Sequence, residues 1–123
     1  MKEKGIIREK SFAFALRIVK LNRFLTQKNE YVLSRQVLRC GTSIGANVEE
    51  ANGSRTKKEF AQKLGSAYKD ANETKYWLTL LKDSGMISVK EGDSMIGDCD
   101  ELLKMLGSAL KTLKSSLASQ PKS

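Results

Sequence analysis

The sequence predicts an all-helical protein, a single antiparallel up-and-down four-helix bundle. Three observations carry this: four stretches space their apolar residues three and four apart, short polar breaks separate them, and no strand-like alternation of useful length occurs. A chain of 123 residues is close to the commonest size of one domain, so one core is expected. The one proline, Pro121, falls in a Ser- and Lys-rich end where it cannot interrupt a helix. The pattern places the bundle at residues 11–118, with flexible tails at 1–10 and 119–123.

Helix one is expected over 11–27, capped by Ser11, with Phe14, Ile18, Leu21 and Leu25 on its inward stripe. Phe12, Leu16 and Val19 widen that stripe beyond what a core needs. Such surplus points to burial on a second side, as in a subunit contact. Helix two is expected over 32–52, where Leu33, Val37, Cys40, Ile44, Val48 and Ala51 keep helical spacing. Gly41 and Gly45 strip bulk from one turn, at about 1 kcal/mol each in helix propensity, so a close helix contact should compensate.

Helix three is expected over 57–84, opened by a capping box in which Thr56 accepts from the Glu59 amide. Its stripe is Phe60, Leu64, Ala67, Ala71, Thr74, Leu78 and Leu81, and Gly85 suits the left-handed residue past its end. Trp77, Tyr68 and Tyr76 fall within this pattern and are read as packing anchors rather than base-stacking platforms. Helix four is expected over 89–118, with Ser88 and Glu91 as a second capping box. Ile96, Cys99, Leu103, Leu106, Leu110, Leu113 and Leu117 form a heptad seam.

Charge is distributed unevenly. Residues 1–63 hold 14 basic and 6 acidic side chains, whereas residues 64–123 hold 8 of each, so the whole net charge of +8 belongs to the first half. That asymmetry favours an anionic partner, nucleic acid ahead of a membrane surface, because no basic amphipathic segment is separable from the core helices. The candidate phosphate contacts are Arg17, Lys20, Arg23, Arg35, Arg39, Arg55, Lys57 and Lys58. The last three surround the start of helix three, where free amides add positive potential. A second feature is a polar strip on helix two, Gln36, Arg39, Ser43, Asn47 and Glu50. It is expected to hydrogen-bond across to Asn72 or Glu73 of helix three.

Catalysis fares poorly. Without histidine, the Glu-x-x-His sites of di-iron bundles and any Ser-His or Cys-His nucleophile are excluded. Glu49, Glu50, Asp70 and Glu73 are the set that could gather magnesium, but the dense acidic repeats of helical nucleotide pyrophosphohydrolases are missing. Cys40 and Cys99 lie on apolar stripes and read as reduced core residues. The expectation is a cytoplasmic, non-enzymatic protein with no cofactor and no metal. Met1 to Lys10 contain no apolar run resembling a secretory signal, and nowhere do eighteen apolar residues occur in a row.

Two segments carry a resemblance. Gln36 to Glu50 (QVLRCGTSIGANVEE) and Lys63 to Leu81 (KLGSAYKDANETKYWLTLL), above all Ser43 to Asn47 with Glu73 to Leu78, resemble the bacterial four-helix-bundle proteins encoded in intervening sequences of 23S ribosomal RNA genes. The likeness runs from about Phe12 to Lys114 and departs from the usual pattern at Glu49, Glu50 and Ala51. The resemblance implies a homo-oligomer, often a ring-shaped pentamer, with no catalytic residues. Related proteins include the accessory variability protein of diversity-generating retroelements, which binds nucleic acid and a reverse transcriptase. Self-association, nucleic acid and a protein partner are therefore the expected contacts, the protein partner defining the alternative of a scaffold or adaptor.

Overall fold

The computed structural model describes residues 2–119, with side chains from Gly5 onward. Four helices follow in chain order, α1 (Lys2–Gln27), α2 (Val32–Asn52), α3 (Lys57–Asp83) and α4 (Val89–Ala118), with no strand among the described residues. Each packs on its sequence neighbour and α1 meets α4, which closes the antiparallel bundle. The closure is uneven: α1–α4 is much the thinnest of the four seams.

The inward stripes explain why these residues form these helices. Phe14, Ile18, Leu21 and Leu25 of α1, Val37 through Ala51 of α2 and Leu64 through Leu81 of α3 are buried in one core at the expected positions. Thr56 Oγ1 accepts from the Glu59 amide at 3.0 Å, and Glu59 reaches back to the Arg55 amide, also at 3.0 Å. Ser88 caps α4 in the same way, accepting from the Glu91 amide at 3.1 Å. Gly85 has φ +78°, the left-handed conformation expected beyond α3.

Two expectations need correction. Helix one does not begin at Ser11; it already runs from Lys2, so residues 2–10 are helix rather than tail. Ile7 continues the stripe one step before Ser11 and is buried, while Ser11 is itself buried, its hydroxyl donating to the Arg8 carbonyl. A small residue is needed there because Gly45 of α2 packs on its backbone, a Cβ at 45 lying 3.4 Å from the Ser11 carbonyl oxygen. Of the expected tails, Ser119 caps α4, and Met1 and residues 120–123 lie outside the described residues.

Second, the core side of α4 is Met95, Cys99, Leu102 and Leu106, whereas Ile96, Leu103, Leu110 and Leu113 are only half-buried. A strict three-and-four alternation drifts around a straight helix by about 20° per heptad, and with α1 so thinly applied, the outer edge of that seam has little to cover it. Phe12 and Leu16 are 65% and 52% exposed, so the core leaves the surplus apolar face of helix one open.

Candidate nucleic-acid interface

The α2–α3 seam answers the polar strip. Arg39 forms an ion pair with Glu73 Oε2 and also donates to Gln36 Oε1 at 3.2 Å, while Trp77 Nε1 donates to the same Glu73 oxygen at 3.0 Å. Asn47 donates to Asp70 Oδ2 at 2.9 Å, Lys63 reaches Glu50 at 3.1 Å, and Ser43 bonds back to the Arg39 carbonyl. Glu73 is thus the partner expected, but Asp70 rather than Asn72 completes the seam. Asp70, Glu73 and Trp77 step three and four residues along the α2-facing side, and Asn72 is turned outward.

Electrostatics follow from this packing. The Trp77 and Arg39 hydrogen bonds hold the Glu73 carboxyl below its ordinary range, whereas burial pushes Asp70 up against the opposing pull of Asn47. Burial also raises the Cys40 thiol and pushes Cys99 up to about 12, which fits packing and disfavours a thiolate nucleophile. Glu49 pairs with Arg8 and Glu50 with Lys63, so each member of the acidic set considered for magnesium has a protein partner. Among the described residues no group of three acidic or cysteine side chains could hold a metal ion.

The eight predicted cations do not form one patch. Arg17, Lys20, Arg23 and Arg35 belong to the end of the bundle that holds the α1–α2 turn, and Arg55, Lys57 and Lys58 to the opposite end. Twenty residues separate Arg35 from Arg55, about 30 Å along a helix. Arg39 is committed to Glu73, and Arg17 to Asp98 at 2.7 Å and Glu91 at 3.2 Å. Lys57 donates to Ser116 at 3.0 Å. No ion pair involves Lys20, Arg23, Arg35, Arg55 or Lys58 among the described residues. Asn22 donates to the Ser34 carbonyl at 3.3 Å, which sets the adjacent Arg23 and Arg35 at one level of the α1–α2 face. At the other end the capping carboxylate of Glu59 already occupies the first turn of α3, so the amides there are less available to a phosphate than the sequence suggests.

Sequence reasoning missed a groove between α1 and the α3–α4 turn. It measures about 600 Å³ and is floored by Leu21, Phe24, Met86 and Ile87, with Arg17, Lys20 and Lys28 from α1 and Glu91 from α4 on its rim. Lys28 Nζ lies 4.5 Å from the centre of the Phe24 ring. The signal was present in the sequence as Phe24 and Lys28 four residues apart, but only the thin α1–α4 contact opens the space beside them. The aromatic assignments also divide: Trp77 packs in the α2–α3 seam, while Tyr76, 62% exposed, lies outside the core and meets Trp77 edge-on at 5.0 Å.

No curated protein matches the chain. A solved structure does: a protein of unknown function from the S23 ribosomal protein family of Bacteroides thetaiotaomicron is 43% identical, with 89% of this chain and 98% of that chain covered at a TM-score of 0.87. The family pattern of the 23S rRNA-intervening sequence proteins matches residues 3–108, which takes in all of α2 and α3 with the polar seam between them. Fold and pattern agree, and the chain belongs to the 23S rRNA-intervening sequence protein family.

Proposed function

We infer that this protein acts by binding rather than catalysis, as a homo-oligomeric bundle that holds nucleic-acid backbone through its cationic α1–α2 end. The observation that carries this is how the charges divide. Cations on the inner edge of α1, Lys10 and Arg17, are neutralised by Glu101, Asp98 and Glu91 of α4. Lys20, Arg23 and Arg35, at one end of the molecule, have no such partner among the described residues. Unpaired cations grouped together are what a phosphate backbone requires, and base edges need not be read; Arg55 and Lys58 at the other end also lack an ion pair among the described residues, but there Glu59 already occupies the first turn of α3. Filter binding across a salt series tests this: affinity should fall steeply, by roughly 0.7–0.9 in log–log slope for each phosphate neutralised. Replacing Lys20, Arg23 and Arg35 by Gln should weaken binding far more than replacing Arg55, Lys57 and Lys58. No binding at low salt would refute the proposal.

The exposed outer face of α1 favours a second reading, a scaffold or adaptor that engages protein. Phe12 and Leu16 stand out from the bundle beside half-buried Val19, a contiguous apolar stripe that a partner helix or a second copy of the chain would cover. The two readings are compatible if the stripe makes the oligomer, a pentamer in keeping with the family, and the charges bind. Sedimentation at several concentrations separates them. Leu16→Glu should dissociate a self-associated form, whereas a strict monomer would leave the stripe to a different protein.

A further inference from the structure

We propose that the groove between α1 and the α3–α4 turn takes one unpaired nucleotide of a single-stranded segment, its base against Phe24 and its phosphate between Lys20 and Lys28. This rests on the nucleic-acid reading above and narrows it from any backbone to a strand with accessible bases.

Three observations converge. First, a volume of about 600 Å³ lies within the range of small-ligand sites, and a smaller hollow of about 290 Å³ continues from it past Gly85 and Met86 to the Asn29–Glu30 turn. Second, the groove is amphipathic in the sense that a nucleotide needs, with an apolar floor and a cationic edge. Of its rim charges, Glu91 is paired with Arg17, while Lys20 and Lys28 carry no ion pair among the described residues. Third, Phe24 presents an aromatic ring, 41% exposed, that the core does not use. The Lys28 ammonium lies over that ring. A base entering the groove would replace this weak exposed cation–π contact with stacking and release Lys28 to the phosphate beside it.

The surrounding charges supply a path. Lys20 lies one turn before Phe24 on α1, and Arg23 and Arg35 continue around the helix at the same end, so flanking phosphates can follow them out of the groove. Paired bases inside a duplex cannot place a lone base on Phe24, because each keeps both faces stacked on its neighbours. Discrimination between single and double strand is therefore the signature of the groove, whereas the cations alone would bind both.

The test uses the full chain, a fluorescent twelve-nucleotide oligouridylate and a twelve-base-pair RNA duplex, read by anisotropy at low salt. Phe24→Leu should weaken the single strand about tenfold and the duplex less than twofold, while Phe24→Tyr should retain wild-type affinity. Lys20→Gln with Lys28→Gln should weaken both. With 4-thiouridine in the strand, photo-crosslinks should map to residues 20–28 or 85–91, which keeps the proposal testable even if a Phe24 variant fails to fold. Undiminished single-strand binding by Phe24→Leu, or crosslinks confined to the Arg55–Lys58 turn, would overturn the groove assignment and leave the basic-surface reading standing. Binding of laurate in the groove without any crosslink would give it to an apolar carboxylate instead. Failure of both oligonucleotides to bind would remove both readings together.

Discussion

The α2–α3 and α1–α4 seams are built from the same kind of helix and hold the bundle in opposite ways. Along α2–α3, small buried residues, Ala67, Ala71 and Thr74, let the helices approach, and polar side chains at the edge bond directly across. Along α1–α4, contact is sparse, the ion pairs Lys10–Glu101 and Arg17–Asp98 bridge the two helices, and two hollows open, one at Phe24 and one of about 280 Å³ beside Ile7 and Met105. The thinly packed seam is the one that leaves space for a ligand beside Phe24.

The largest expected effect breaks the strong seam. Leu78 is fully buried on α3, and Leu78→Ala should cost about 2–5 kcal/mol in denaturant unfolding. The half-buried Met105 of α4, which lines the smaller hollow, should cost only about 1 kcal/mol when changed to Ala. Equal losses at the two positions would show that the seams contribute alike.

Next in size is the attachment of α1, which depends on α2 rather than α4. A Cβ at Gly41 would lie 2.7–2.9 Å from three side-chain atoms of Ile18, itself fully buried and β-branched, so neither can yield cheaply. Gly41→Ala should therefore destabilise by about 1–3 kcal/mol despite its gain in helix propensity. Gly97 on α4 has nothing within 4 Å of an added Cβ, and Gly97→Ala should stabilise by up to about 1 kcal/mol. Thermal melts of the two variants check both signs.

A smaller contrast concerns charge. Glu73→Gln disturbs bonds from both Arg39 and Trp77 and should cost about 1 kcal/mol. Glu101→Gln removes one exposed pair and should cost no more than about 0.5 kcal/mol, vanishing in high salt. A urea titration of each variant at low and high salt distinguishes them.

Much of this division was legible in the sequence. The stripes of α1, α2 and α3 are periodic because each faces one core, and the caps at Thr56 and Ser88 are local signals that need no tertiary context. Glu73 could be paired with the strip on α2 because helix periodicity places both on facing edges. What escaped depends on how helices sit against one another. Ile7 extends the stripe of α1 beyond Ser11, which is buried against Gly45 of α2, and the core side of α4 lies at Met95 and Leu102, where α1 covers α4 so thinly. The eight cations looked like one set in the chain, but all except Arg39 fold to two ends, since the length of α2 separates them by about 30 Å. The groove beside Phe24 comes from missing contact, which no residue pattern encodes.

The smallest effect tests whether the strong seam is electrostatically optimal. Asp70 is held partly out of water, and burial raises its pKa, so near neutrality the fold bears the cost of an ionised carboxylate there. The folded state then binds its proton more readily than the unfolded chain does, and this contribution makes stability fall as pH rises from the ordinary carboxylate range through the folded pKa. Glu73, three residues on, works the other way. Its pKa is lowered by Trp77 and Arg39, so its contribution is present above the unfolded value and is lost as pH falls through the folded one. The two slopes oppose each other and mask one another in the intact protein. Asp70→Asn keeps a carbonyl oxygen to accept from Asn47 and removes the charge, so its melting temperature should exceed that of the unmodified chain at pH 7. The difference should close as pH drops below about 4. A lower melting temperature at pH 7 would mean that the ionised Asp70 is worth more to Asn47 than its burial costs, and that the tight seam owes its strength to charge as well as to packing.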